Sequence, residues 1–324
     1  MAKSTSAILV DLIRPFSRVA GVFGLALVAV SVWRFPYQTD PEMPRRPTDT
    51  SDSFYKAVYA APVAEDPSLA GDENNDYARI ARLAAKDQDT DGIVKRFVEK
   101  YGLRDKKALE IGAGRGYLQD FVDDYTGLDI APSARRFFHK KFVQASATAM
   151  PFPEGTFDAA WSIWVFEHVP NPEHALIEAR RVVKNGGLLL LFPAFECGEW
   201  LAGGYQVRPY SDFGWKGKLY KAALPLIQIG DGFSSPVTRL MRSAKRLSES
   251  GPSKYHYRLL APDYKDYWQG DSDALNDLDY FETAMWFESR GDECLNCPAF
   301  GERLVTRSAP LIIRVKKPAV TAQR

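Results

Sequence analysis

Residues 108–117 read Ala-Leu-Glu-Ile-Gly-Ala-Gly-Arg-Gly-Tyr, a short apolar run that ends at an acidic residue and passes into glycines at alternate positions. An apolar run of this length reads as a buried strand. Glycines directly behind it serve a backbone that turns with positive φ, or a ligand that approaches where a Cβ would stand. The pattern predicts a tight turn and then a helix over 117–123. A strand-turn-helix of this kind aims free backbone N–H groups at the mouth of a parallel sheet, where nucleotide-like ligands bind. A glycine-rich loop without a ligand is the simpler reading, and the surroundings have to separate the two.

Those surroundings alternate strands with helices. After the first strand at 108–111, strands are expected at 125–130, 142–145, 157–166 and 188–192, with helices at 132–140 and 173–183. Pro132 suits the first turn of its helix, and Asn185-Gly186-Gly187 follows the end of the second. Leu188–Phe192 is apolar throughout, as in a strand buried on both faces. Strands and helices in this order imply a parallel sheet with right-handed crossovers. Downstream, 281–287 reads as a helix, 304–305 as a strand and 311–315 as a better final strand.

Hydrophobic residues make up 45% of the 324-residue chain and charged residues 26%, an ordinary globular balance, and the formal net charge is +1. No basic stripe with interleaved aromatics appears, so nothing points to nucleic acid. The three cysteines, Cys197, Cys294 and Cys297, argue against a disulfide framework and for a reducing compartment. Cys294-Leu295-Asn296-Cys297 with Cys197 could supply three thiolates to a metal, but reduced cysteines near a strand are the simpler account, and no metal site is assigned.

Val19–Trp33 is an uncharged, mostly apolar run bracketed by Arg18 and Arg34. As a helix it covers about 22 Å, short of a hydrocarbon core of roughly 30 Å, although flanking arginines can snorkel to the headgroups. A membrane anchor is favoured over a cleaved signal peptide or a buried core helix, with the segment before it lying at the interface. The division expected is an anchor at 1–35, a proline-rich linker at 36–51, a helical lead-in at 52–105 and a core at 106–196. An aromatic-rich insert or substrate cap at 197–280, closing elements at 281–317 and a tail at 318–324 follow.

Asp129 ends the second strand, where a carboxylate can accept hydrogen bonds from both hydroxyls of a ribose. Glu110 precedes the glycine turn and could orient it or approach a cationic ligand, and Ser146-Ala147 follow the third strand where an adenine would lie. With Glu110-Ile111-Gly112-Ala113-Gly114-Arg115-Gly116, Asp129, Ala149-Met150-Pro151-Phe152-Pro153 before Phe157-Asp158, Phe166-Glu167-His168-Val169 and Arg181-Val182-Val183-Lys184-Asn185-Gly186-Gly187, the stretch 93–195 resembles the class I S-adenosylmethionine-dependent methyltransferases.

The resemblance implies an α/β fold, a doubly wound, mostly parallel seven-stranded Rossmann-like sheet in the order 3-2-1-4-5-7-6 with the seventh strand antiparallel. It implies S-adenosylmethionine as cofactor, held by Glu110, Gly112, Ala113, Gly114 and Gly116 at the methionine side, by Asp129 and Ile130 at the ribose, and by Ser146 and Ala147 at the adenine. Two positions depart from the pattern. Ser146 stands where an acidic residue is usual, and Asn185 where proline is. A nicotinamide-dependent oxidoreductase fits less well, because the third glycine comes one position early and Tyr117 stands where it should be.

Methyl transfer asks the protein mainly to align donor and acceptor, with a base only where the acceptor must lose a proton. His168 is the candidate base, although it could equally come with the Glu-His-Val turn as a structural residue. Glu167 is a similar case, and His256 could belong to a lid or to the surface. His139 and His174 are expected on solvated helix faces. Asp271-Ser272-Asp273-Ala274-Leu275-Asn276 could bind acceptor hydroxyls or cap the next helix. A tethered enzyme with an aromatic cap suits a small-molecule, lipid or lipid-linked glycan acceptor, with the catalytic domain facing the cytoplasm. The alternative from another class is a non-catalytic interaction protein that keeps the fold.

Overall fold

The computed structural model describes residues 5–35, 38–42, 49–60 and 76–317. Half of the expected linker and the 318–324 tail therefore lie outside the described residues. Four helices come first: α1 (Thr5–Arg34), α2 (Asp49–Ala60), α3 (Asp76–Asp87) and α4 (Thr90–Tyr101). The strands β1 (Lys107–Ile111), β2 (Asp124–Asp129), β3 (Lys141–Gln144), β4 (Phe157–Ile163) and β5 (Val183–Phe192) follow, with helix α5 (Pro172–Val182) between the last two.

Beyond them lie α6 (Trp215–Arg246), the small β6–β7 ribbon (Arg258–Leu259 and Asn276–Asp277) and α7 (Tyr280–Glu288). The chain closes with β8 (Glu293–Cys294), α8 (Phe300–Arg303) and β9 (Leu311–Arg314). The seven-stranded sheet has the order β3-β2-β1-β4-β5-β9-β8. β1 to β5 pair in parallel, and β9 runs antiparallel to β5. This is the arrangement the resemblance implies.

Alternate residues of each strand enter separate cores. Leu109, Leu128, Leu189 and Leu191 pack with α5 and with Trp286 of α7. Ala108, Tyr125, Trp161 and Leu190 pack with Val94 and Phe97 of α4. Burial on both faces explains why Leu188–Phe192, the second half of β5, carries no polar alternation.

Several expectations change. Residues 117–123 and 132–140 form short 3-10 turns, at Gln119–Phe121 and Pro132–Phe137, in place of α-helices. The buried Gln119 side chain satisfies both connections. Its amide donates to Gly116 O and Phe137 O, and it accepts from the His139 and Lys140 backbone N–H groups. Backbone groups that a longer helix would have paired internally are met by this one side chain. Residues 304–305 are not a strand; the sixth strand of the sheet in chain order is Glu293–Cys294, which pairs with β9 at the sheet edge.

Cys294 and Cys297 are joined in a disulfide, not reduced as expected, because the chain reverses between them and brings their Cα atoms to 5.5 Å. Cys197 is a free, buried thiol. His174 is half-buried, its Nδ1 lying 2.8 Å from Asp40 Oδ2.

The largest surprise is α6, a 32-residue helix inside what reads as an irregular aromatic insert. Pro225 and Pro236 lie within it, and together with its glycines they mask the helical signal. α1 packs along it. The Ser31 hydroxyl donates to Ser234 O at 3.2 Å, Thr238 donates to Ser31 O at 3.2 Å, and Phe23 meets Phe233 edge-on. Among the described residues no helix is long and apolar enough to cross a membrane.

Candidate active site

The glycine turn holds its shape because two side chains are missing. Gly112 and Gly114 have φ of +73° and +49°. A Cβ on Gly112 would stand 2.3 Å from Val165 Cγ2, and one on Gly114 3.0 Å from the Tyr59 hydroxyl. Gly112 N and Ala113 N both donate to Leu128 O, at 2.8 and 2.9 Å, so the end of β2 fixes the turn.

Asp129 completes that junction. Its Oδ2 accepts from Gly114 N at 2.8 Å and its Oδ1 from Ala131 N at 2.9 Å. A carboxylate has about four acceptor positions, so each oxygen keeps capacity for a ligand hydroxyl. Burial pushes the Asp129 carboxyl up to about 6, against the pull of the Ala131 and Gly114 donors. Ile130, Ser146 and Ala147 line the same cavity as Asp129. The Ser146 hydroxyl is engaged with Thr148 Oγ1 at 2.9 Å. Glu110, buried one residue before β1 ends, accepts a hydrogen bond from the Tyr125 hydroxyl, and burial pushes its carboxyl up to about 8. At neutral pH it is largely protonated, which suits a group that organises the turn better than one that pairs with a cation.

A cleft of about 520 Å³ runs from Glu110, Gly112, Ala113, Gly114 and Arg115 to His168 and Asp271. Arg115 adds a buried Nε with no hydrogen-bond partner. The open glycine cradle, the spare acceptor capacity of Asp129 and this unpaired donor fit a ligand with a ribose and an anionic end. Gly116 closes the turn with φ +67°, its N–H donating to Ala113 O at 2.8 Å.

The far end of the cleft is built by three separated segments. His168 sits in a 3-10 turn after β4, and the segment before β7 docks onto that turn. Leu275 N donates to Glu167 O at 2.8 Å, and the Asn276 amide donates to Val169 O at 2.7 Å. Docking carries in Asp271 and Asp273 beside the turn's own Glu167. Asp273 Oδ2 lies 3.4 Å from His168 Nδ1, Glu167 Oε1 lies 3.6 Å from His168 Nε2, and the Tyr55 hydroxyl donates to Asp273 Oδ2 at 2.7 Å.

Burial opposes the charged form of His168, but Asp273, Glu167 and Asp271 outweigh it and push the imidazole up to about 9. Burial raises the Glu167 and Asp271 carboxyls. Neither Glu167 oxygen has a hydrogen-bond partner, and the ligand atoms of Glu167, His168 and Asp271 all lie within 4.8 Å of one another. Such a cluster can share a proton or bridge a cation. His256 is remote from it; the ring is buried against Glu282 Oε1 at 3.1 Å. His139 is exposed and paired with Asp120.

Sequence reasoning missed the tyrosines. α2 and α3, read only as a helical lead-in, bring Tyr55, Tyr59 and Tyr77 over the glycine turn and His168. Tyr55 and Tyr59 are four residues apart and share a helix face, which was a readable signal. Tyr77 meets Tyr267 edge-on at 5.0 Å, and burial raises the hydroxyl pKa of all four. Trp164 and Asp271, both lining the cleft, have φ of +53° and +60°. Such non-glycine conformations cost of order 1–3 kcal/mol and gather at functional sites.

A family model described as a methyltransferase domain matches residues 109–191. An uncharacterised methyltransferase of Mycolicibacterium gilvum is 30% identical over 185 residues, covering 48% of this chain and 68% of that protein. The chain belongs to the class I S-adenosylmethionine-dependent methyltransferases. A sterol 4-C-methyltransferase of Caenorhabditis elegans is 30% identical over 107 residues, 28% of this chain and 32% of that protein. A phthiotriol/phenolphthiotriol dimycocerosates methyltransferase of Mycobacterium leprae is 28% identical over 186 residues, 52% of this chain and 63% of that protein.

The matched stretches thus span between about a third and two thirds of these relatives' lengths. In this methyltransferase the family model covers the glycine turn, Asp129 and His168. The tyrosines, α6 and Asp271–Asp273 lie outside it.

Proposed function

We propose that this methyltransferase moves a methyl group from S-adenosylmethionine to a hydroxyl of a small-molecule, lipid or lipid-linked glycan acceptor at a membrane. The single observation that carries the reading is a pair of adjoining cavities that share Tyr59, Gly112, Trp164 and His168, one lined by Asp129 and the other by the glycine turn and Asp271. When bound, S-adenosylmethionine supplies a methyl carbon activated by a sulfonium. Asp129 and Ile130 would hold its ribose, Ser146 and Ala147 its adenine, and the turn with Arg115 its methionine end.

The remaining task falls to the acceptor side: orient a hydroxyl, exclude water and take a proton. The tyrosines over the cleft serve the first two. His168, raised to about 9, is already protonated at neutral pH in the ligand-free chain. The acceptor proton is therefore assigned to Asp271, whose carboxylate burial makes a better base. His168 stands as a cation near that carboxylate and would itself act as the base only above its own pKa.

The membrane placement draws on α1, where Val19, Val22, Leu25 and Trp33 are exposed. A catalytic domain facing the cytoplasm follows from where the methyl donor is made. The sterol and phthiotriol-lipid relatives favour an acceptor of lipid character.

Calorimetry with S-adenosylmethionine and S-adenosylhomocysteine tests the cofactor half. If neither binds at high micromolar concentration, the enzyme reading fails. Incubating a membrane extract with labelled methyl donor, then identifying the product by mass, tests the acceptor half. Full-length protein that stays soluble after lysis without detergent would sink the membrane placement.

A further inference from the structure

The exposed apolar residues of α6 are not scattered. Trp215, Leu219, Leu226, Ile229, Phe233 and Leu240 follow one another at intervals of three, four or seven, so they fall on one side of a helix about 48 Å long. Leu247 continues the line just past its end and is 90% exposed. Isolated exposed leucines need no explanation, but a contiguous apolar band along a whole helix does.

The charges on the helix point to what covers it. Its one acidic residue, Asp231, is buried, whereas Lys216, Lys218 and Lys245 are exposed. The inward cations Arg239 and Arg242 are already paired with Asp279 and Glu282, at 2.7 and 3.0 Å. α1 lies parallel to this helix and adds Val22, Leu25, Val28 and Trp33 to the uncovered surface, with the exposed Arg18 beside them.

Both ends of α6 are tied to the body of the protein. Near its start, Lys221 bonds Tyr205 O, and Arg208 just before the helix stacks on Trp268 at 4.3 Å. Toward its end, Arg239 bonds Asp279 and Leu304 O. A helix fastened at both ends lies flat against whatever it meets.

We infer that α6, side by side with α1, is an in-plane docking surface for an anionic lipid bilayer, its apolar band sunk among the acyl chains and its lysines against the headgroups. The inference rests on the membrane placement proposed above and extends it from the N-terminal segment to a second, internal element. Trp268 adjoins Tyr267 of the cleft wall, so docking through α6 sets the cleft beside the bilayer surface and lets a lipid-borne acceptor enter from it.

The test is co-sedimentation of the full chain with phosphatidylcholine vesicles, with and without phosphatidylglycerol. Wild-type protein is expected to prefer the anionic vesicles and to lose that preference in high salt. The triple variant Leu219→Glu, Leu226→Glu and Ile229→Glu, with α1 intact, is expected to bind at least about tenfold more weakly. Its affinity for S-adenosylhomocysteine should match the wild type, which checks that it folds.

Should the triple variant fold poorly, Lys216→Glu with Lys218→Glu must abolish the anionic preference. Equal vesicle binding by wild type and triple variant overturns the role of α6 and leaves the α1 reading standing. Absence of vesicle binding by the wild type removes both, without touching the cofactor reading. A stable wild-type dimer that the triple variant converts to monomer would assign the band to a second copy of the chain and overturn the inference.

Discussion

Asp129 sets binding against stability in a way that can be measured. Its carboxyl is raised from 3.8 to about 6 by burial, even with two backbone donors in place. At about 1.4 kcal/mol per pH unit, the ionised form costs the ligand-free fold about 3 kcal/mol at neutral pH. Asp129→Asn removes that cost but turns an amide toward Gly114 N–H, orphaning one donor at about 1–3 kcal/mol. The two nearly cancel, so ligand-free Asp129→Asn should melt at or a few degrees above the wild type at pH 7.5.

Cofactor affinity should move the other way. Losing charge-assisted bonds to the ribose costs about 1.5–3 kcal/mol, or about 10- to 150-fold in the dissociation constant for S-adenosylhomocysteine. The pH dependence has matching signs. Because the folded pKa is raised, this group's stabilising effect is full below its unfolded value and is lost as pH rises through about 6, in the wild type only. Affinity, which needs the carboxylate, should instead fall on acidification through about 6. Differential scanning calorimetry and titration calorimetry between pH 4.5 and 7.5 read both. Affinity within twofold of wild type would falsify the ribose assignment, and a large loss of thermal stability would make Asp129 a structural residue.

Three other outcomes are expected. Gly112→Ala should destabilise by about 1–3 kcal/mol in chemical denaturation, since it adds a Cβ at φ +73° and 2.3 Å from Val165; pairing it with Val165→Ala should not restore stability, because the backbone penalty stays. Arg239→Ala takes the cation from Asp279, while Glu196 keeps Arg307, and should cost about 1.5–3 kcal/mol of stability, read in the same denaturation assay. Asp273→Asn should lower the His168 pKa by about 1–3 units in an NMR titration. With the imidazole raised in the wild type, the stability it adds is present below the unfolded histidine value and fades as pH climbs through about 9; that fade should shift to lower pH in the variant.

The parts legible in the sequence are those whose cause is local. A strand stretch buried on both faces must be apolar along its length, so Leu188–Phe192 of β5 announced itself. A turn with positive φ and no room for a Cβ must carry glycine, so Gly112 and Gly114 did too. The 3-10 connections were misread because their backbone groups are satisfied by Gln119, a partner that no local pattern identifies. α6 was hidden by its internal prolines and glycines. The disulfide depended on a chain reversal between Cys294 and Cys297.

By itself, then, the sequence determined the first five strands and the glycine turn, because each rests on residues adjacent in the chain, while the strand order came from the family resemblance. Only the tertiary structure decided the acceptor end. His168, Asp271, Asp273 and Tyr55 come from three segments more than a hundred residues apart in places, and their protonation depends on burial and mutual charge that exist only once those segments dock. The same is true of α6. Its apolar band became visible as a surface only when the fold showed which face of the helix the described residues leave exposed.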